Sequence, residues 1–298
     1  MKEAVLLLAH GAPERVEDIP EYLNYIRGGR PTSPEIVDEV RHRYEAIGGR
    51  SPLLARTREQ AQALEDRLAA AGCPVRVYFG MRNWHPLIRE AIEQMKRDAV
   101  DRVVAICLAP QYSRASVGLY FRRVQEAKVA AGLAAEVVWT KSFHDHPELI
   151  EAFYQRLRPL LPADRVLFTA HSLPERVLER ADPYDSEARA TAALVAARAA
   201  LDDYEFAYQS QGFTDEKWLG PTVESCLDAF AAKEMRDLIV APIGFVCDHV
   251  EILYDIDIGF RAYARERGIE LRRAESLNDS PRFIAALAEV ALERLCGP

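Results

Sequence analysis

Eight short runs of apolar and β-branched residues recur along this chain, and longer segments of helical character separate them. The runs lie at 4–9, 75–79, 102–108, 136–140, 165–170, 205–209, 238–241 and 269–273. Helical segments are expected at 53–71, 86–98, 115–131, 147–160, 186–201, 222–235, 249–267 and 281–295. Strand alternating with helix restricts the fold to an α/β class with parallel sheets covered on both faces. At 298 residues the chain exceeds one common core of about 150 residues, so the runs divide into two sets of four. The halves echo each other. AHGAP (9–13) follows the first run and AHSLP (170–174) the fifth; CLAPQYS (107–113) closes the third and VAPIGFV (240–246) the seventh. The expected architecture is two similar lobes, each a four-stranded parallel sheet flanked by helices, with a cleft between them. The first lobe covers 1–143 and the second 144–280. A terminal helix, 281–298, packs back across the boundary.

In such sheets ligands gather beyond the carboxyl ends of the strands. That draws attention to His10, His171 and the loop after Ala241. No GxGxxG follows the first strand and no GxxxxGK[ST] occurs, so nucleotide-binding signatures are absent. A formal charge of −8 disfavours a general grip on nucleic acid or on anionic lipid. Five scattered cysteines (73, 107, 226, 247 and 296) with no CxxC pair argue against a disulfide framework and against an iron–sulfur cluster. No apolar run approaches the ~18 residues of a membrane span, and the N-terminal run is too short for a signal sequence. A cytoplasmic location is expected.

Three constellations carry chemistry. His171 stands at a strand mouth, and Pro174 stiffens the turn after it. A neutral imidazole there can accept a proton or ligate a metal; the alternative is a half-buried histidine bonded to backbone. GFVCDHVEILYDID (244–257) follows the seventh strand. A helix beginning near Asp248 would put Asp248, Glu251 and Asp255 on one face, either as a path for a cation or as acidic residues favoured at a helix start, with His249 pointing elsewhere. Histidine with carboxylate suits Fe²⁺, Zn²⁺ or Co²⁺ better than Mg²⁺ or Ca²⁺. The third set, in the first lobe, is basic and aromatic. Arg27, Arg30 and Arg43 can bind carboxylates, and Tyr44, Ser51 and Tyr120 can add hydrogen bonds or stacking. Singly, each arginine reads as a solvated charge; together they fit a flat, polyanionic aromatic ligand.

AHSLPERV (170–177), DPYDSEA (182–188), YQSQGFTDEKWLGP (208–221) and PIGFVCDHVEILYDID (242–257) resemble the ferrochelatases, and the resemblance runs over essentially the whole chain. It implies two Rossmann-like lobes and a lyase of haem biosynthesis that inserts Fe²⁺ into a porphyrin. Within the family the chain is most similar to the coproporphyrin III ferrochelatases. By motif matching, His171 and Glu251 are the catalytic pair. His171, Glu251 and Asp255 are the metal-binding positions. His10, Arg27, Arg43, Tyr44, Ser51 and Tyr120 are the porphyrin-binding positions. His10 stands where the coproporphyrin enzymes carry a tyrosine, Ala12 replaces a hydroxyl residue, and Gly259 interrupts the acidic row. The resemblance implies no tightly bound cofactor, Fe²⁺ as a substrate, a monomer, and transient contacts with haem-pathway enzymes. Alternatives are a protoporphyrin IX ferrochelatase, a related Co²⁺/Fe²⁺ tetrapyrrole chelatase, and a non-catalytic porphyrin carrier. A carrier has no need of Glu251 and Asp255 beside His171.

Overall fold

The computed structural model describes residues 1–212 and 216–295, with the side chain of Arg180 set aside. It divides into two compact units. One comprises Met1–Leu108, Val117–Lys141 and the C-terminal segment from Ile284; the other comprises Ala109–Ser116 and Ser142–Phe283.

The first unit is built on β1 (Glu3–Ala9), α1 (Ile19–Ile26), α2 (Pro34–Ala46), α3 (Leu53–Ala70), β2 (Arg76–Met81), α4 (Ile88–Arg97), β3 (Arg102–Cys107), α5 (Val117–Ala131) and β4 (Glu136–Thr140). The second carries α6 (Pro147–Leu157), β5 (Arg165–His171), α7 (Tyr184–Arg198), β6 (Glu205–Gln209), α8 (Val223–Ala232) and β7 (Asp237–Pro242). After β7 come α9 (Val250–Leu253), a π-helical turn (Asp255–Phe260), α10 (Arg261–Glu266) and β8 (Glu270–Arg273). The last helix, α11 (Pro281–Leu295), begins in the second unit and ends in the first.

Both sheets are wholly parallel, in the orders β2-β1-β3-β4 and β6-β5-β7-β8. The expected α/β class is met. Central strands are apolar on both faces because helices cover both: Ala4–Ala9 of β1 and Val166–Ala170 of β5 are all buried. The edge strand β4 is mostly half-buried. Several helix starts are legible chemically. Thr222 caps α8 by accepting from Ser225 N at 3.2 Å, and His146 Nδ1 accepts from Glu148 N at 3.3 Å ahead of Pro147 at the start of α6. No helix among the described residues is long and apolar enough to cross a membrane.

The structure differs from the expectation in three places. Helices α1 and α2 fill a stretch where no helix was expected, and Tyr44 is the single buried residue of α2. A helix with so little buried surface leaves no apolar stripe to read. The helix expected over 249–267 is broken into three pieces. Finally, residues 109–116 leave β3 but belong to the second unit, and the change of unit after β4 falls at Lys141/Ser142 rather than at 143/144. Hydrogen bonds to α7 and to the residue two positions before it account for this. Glu187 accepts from Tyr112 N at 2.6 Å and Ser142 Oγ at 2.7 Å, and Asp182 accepts from Arg114 N at 2.8 Å. Of the expected terminal helix, residues 296–298, with Cys296, lie outside the described residues.

Candidate active site

His171 is the last residue of β5. Its Nδ1 donates to the carbonyl of Ser172, and Tyr184 Oη donates to the carbonyl of His171 at 2.8 Å. A carbonyl oxygen only accepts, so Nδ1 holds the proton and the neutral ring offers its lone pair at Nε2. The loop after β7 closes on the strand end at Gly244, where an added Cβ would lie 2.7 Å from both Cα and Cβ of Ala170. Phe245 from that loop walls the site. Its ring lies 6.2 Å from that of His171 and 4.8 Å from that of His249.

Glu251 faces His171, with Oε1 3.7 Å from Nε2. That separation is beyond a hydrogen bond. It is within the span of two ligand bonds of about 2.1 Å each, so a cation fits against both. About a third of each side chain is exposed, 32% for His171 and 34% for Glu251, so small solutes reach the pair. Burial alone lowers the affinity of His171 for a proton, but the Glu251 carboxylate outweighs it and the imidazole pKa is raised. Burial pushes Glu251 the other way, yet His171 and then His249 hold its carboxyl well below the usual range.

His249 was expected to point away. The helix starts at Val250, two residues later than the expected Asp248, and leaves His249 extended before it. Its Nε2 lies 3.4 Å from Glu251 Oε2, and its Nδ1 donates to the carbonyl of Cys247 at 3.0 Å. One carboxylate therefore meets the Nε2 atoms of two imidazoles. A proton on the His171 ring becomes half of an ion pair with Glu251. Asp248 leaves the expected acidic face altogether. It accepts from Asn278 Nδ2 at 2.9 Å, its N–H donates to Asn278 Oδ1 at 3.0 Å, and Arg273 lies 3.7 Å away.

The row continues to Asp255, which accepts from Ser210 Oγ at 2.5 Å. Ser210 sits in left-handed backbone, φ +59°, just beyond β6. The next acid, Asp257, is occupied by Arg273 at 2.8 and 2.9 Å. Ile252, Ile256, Phe260 and Ala264 are all buried at a spacing of four, and Glu251 and Asp255 keep the same spacing one residue ahead. In a straight α-helix of 3.6 residues per turn such a row would rotate by about 40° per step. The wider i→i+5 turn at Asp255–Phe260 winds it back. This strict period of four was the signal available for the break. Among the described residues no three His, Cys, Asp or Glu side chains gather as a closed metal site. The second unit brings together His171, Glu251 and the unforeseen His249, with Asp255 one turn further on.

The remaining candidates lie in the first unit. His10, just after β1, is exposed, and Asn83 Nδ2 lies 3.1 Å from its Nε2 and 3.3 Å from its Nδ1. Arg27 closes α1, and its Nε is buried with no hydrogen-bond partner. Arg43 pairs with Glu39 one turn earlier on α2. Tyr44, Ser51 and Tyr120 are buried, at 1%, 4% and 6% exposed. Ser51 Oγ accepts from Leu53 N at 3.3 Å, and the Arg82 guanidinium lies 4.7 Å over the ring of Tyr120.

Comparison with known proteins bears on the fold and the family. The sirohydrochlorin chelatase SirB of Bacillus subtilis subspecies spizizenii, solved with cobalt, superposes with a TM-score of 0.61 over 100% of this chain and 97% of its own, at 12% identity. At that identity the likeness speaks for the fold. The ferrochelatase of Acidobacterium capsulatum is 46% identical, covering 99% of this chain and 96% of that protein. The coproporphyrin III ferrochelatase of Halalkalibacterium halodurans is 37% identical over 99% of this chain and 97% of that protein. The ferrochelatase family model matches residues 2–295. With a match of that length and relatives this similar over nearly their whole length, the chain belongs to the ferrochelatase family.

Proposed function

We propose that this ferrochelatase acts on coproporphyrin III, inserting Fe²⁺ and releasing two protons, with His171 and Glu251 as its reacting pair. Insertion breaks two pyrrole N–H bonds; each electron pair stays on nitrogen and becomes a bond to iron. The protons need an acceptor. His171 Nε2 is the proposed one, because Nδ1 is already committed to the Ser172 carbonyl. Glu251 stabilises the imidazolium that forms and, when the ring is neutral, offers Fe²⁺ a second ligand 3.7 Å from Nε2. The two titrate as one coupled system. Proton acceptance is assigned to the pair, and Asp255 is placed on the approach of the metal.

The observation that carries the substrate assignment is Arg27. A buried guanidinium nitrogen without an acceptor is a cost unless a ligand supplies one, and a propionate supplies it in charge-assisted form. Arg43, Tyr44, Ser51, Tyr120 and His10 complete the proposed porphyrin contacts. Their number favours a porphyrin with four propionates over one with two. Support also comes from relatives named for coproporphyrin III at 36–37% identity. The test is a side-by-side measurement of anaerobic Fe²⁺ insertion into coproporphyrin III and protoporphyrin IX. The expected result is a kcat/KM for coproporphyrin III higher by at least about tenfold, the value of a single carboxylate contact of roughly 1.4 kcal/mol. Arg27→Ala should raise KM for coproporphyrin III by a similar factor with kcat preserved. Equal or better use of protoporphyrin IX would overturn the assignment and leave the ferrochelatase activity standing.

A further inference from the structure

We infer that Gln209 is a positioning residue that sets the gap between His171 and Glu251; the inference rests on reading that pair as the reacting groups. Gln209 ends β6, lies in register with His171 on the neighbouring strand, and is 3% exposed. Its side chain joins two elements. Oε1 accepts from Thr169 Oγ1 at 2.7 Å, and Nε2 donates to the backbone carbonyl of Glu251 at 3.1 Å. The amide cannot be reversed, because the Glu251 carbonyl only accepts and so requires the NH₂ end. Thr169 is fully buried on β5, two residues before His171. The backbone of Gln209 adds a third tie, its carbonyl accepting from Ser172 N at 2.7 Å, immediately after the histidine.

One residue thus holds the strand that carries the imidazole and the helix turn that carries the carboxylate. The helix needs such a hold. Glu251 sits in α9, a single turn of four residues that opens at once into the π-helical turn. So short a helix has almost no cooperative stiffness of its own. The 3.7 Å gap would otherwise drift with the backbone of Glu251. A glutamine serving only to satisfy buried polar groups would stabilise the fold without governing the rate of the chemical step.

Gln209→Met removes the bonds to Thr169 and Glu251, and a long one from Nε2 to Ser210 Oγ at 3.4 Å, at similar side-chain length. Thr169→Val removes the threonine tie alone, in a nearly identical shape. Each is measured by single-turnover insertion of Fe²⁺ into bound coproporphyrin III, expressed per bound porphyrin, alongside porphyrin affinity and Tm. The expected result for Gln209→Met is a rate about 10–100-fold lower with unchanged porphyrin affinity, as for the loss of a residue that orients a ligand. Thr169→Val should follow in the same direction with a smaller loss, and keeps the test open if Gln209→Met fails to fold. Wild-type rates per bound porphyrin, with only Tm or affinity lowered, would overturn the inference. Glu251→Gln in the same assay separates the two readings. Wild-type turnover there defeats the reacting pair itself. An inactive Glu251→Gln beside fully active Gln209→Met and Thr169→Val defeats only the positioning role.

Discussion

The two sheets follow one plan and finish it differently. In each, the first strand of the unit lies between the second and third, with the fourth at the edge, and the first strand delivers a histidine at its carboxyl end. His10 lies beside the neutral amide of Asn83, whereas His171 faces the carboxylate of Glu251. The difference begins in the connection after the third strand. After β3 comes α5, an unbroken helix of 15 residues. After β7 come a single α-helical turn, a π-helical turn and a short helix, which keep Ile252, Ile256 and Phe260 in the core while Glu251 stays at the mouth of β5. On the proposed reading, the two copies of one scaffold part ways at a single connecting segment, with the sheet left intact.

The comparison breaks most sharply at the two histidines. His171→Ala should lower the insertion rate by about 10²–10⁴-fold, the usual worth of a positioned proton acceptor, with porphyrin binding retained by fluorescence titration. His10→Ala should act on porphyrin affinity. If His10→Ala cost more in single-turnover rate than His171→Ala, the chemistry has been placed on the wrong sheet.

Next is the carboxylate that faces His171. In the wild-type protein Glu251 raises the pKa of His171 against the opposing effect of burial. Proton acceptance needs the neutral ring, so activity is full at high pH and is lost as pH falls through that raised value. Glu251→Gln removes the raising charge and leaves burial, so the acid limb should move to lower pH while the maximal rate falls about 100-fold. An acid limb unmoved in the pH–rate profile would mean that His171 is not the titrating group.

Smaller effects are expected at the glycines. Gly11, just after β1, and Gly244, just after β7, each sit at a close backbone approach in their unit. A Cβ would meet Trp84 N at 2.7 Å in the first, where φ is +86°, and Ala170 at 2.7 Å in the second. Alanine at either should cost about 1–3 kcal/mol in denaturant unfolding, as overpacking does. Only Gly244→Ala should also slow insertion per folded molecule, because it displaces the strand end that carries His171. Gly259→Ala, whose Cβ would meet nothing nearer than Tyr254 O at 3.7 Å, should stay within about 0.5 kcal/mol and leave the rate unchanged. A large effect at Gly259 would show that the π-helical turn depends on its lack of a side chain.

The central strands were legible from the residues because a parallel strand buried on both faces is an apolar run bounded by polar ends, as VLLLA and VLF are. The fold class, the repeat and the candidacy of His171 and Glu251 followed from such runs and from the motifs at their ends. What escaped was set by contacts distant in sequence. The tie of Asp248 to Asn278 spans 30 residues, the hold of Gln209 on Glu251 spans 42, and the clasp of Glu187 on Tyr112 spans 75. Local pattern encodes which residues prefer strand or helix and which face they bury, since those preferences arise within a few positions along the chain. It does not say which distant residue a side chain will meet, and so only the tertiary structure turned His249 toward Glu251 and Asp248 away from it.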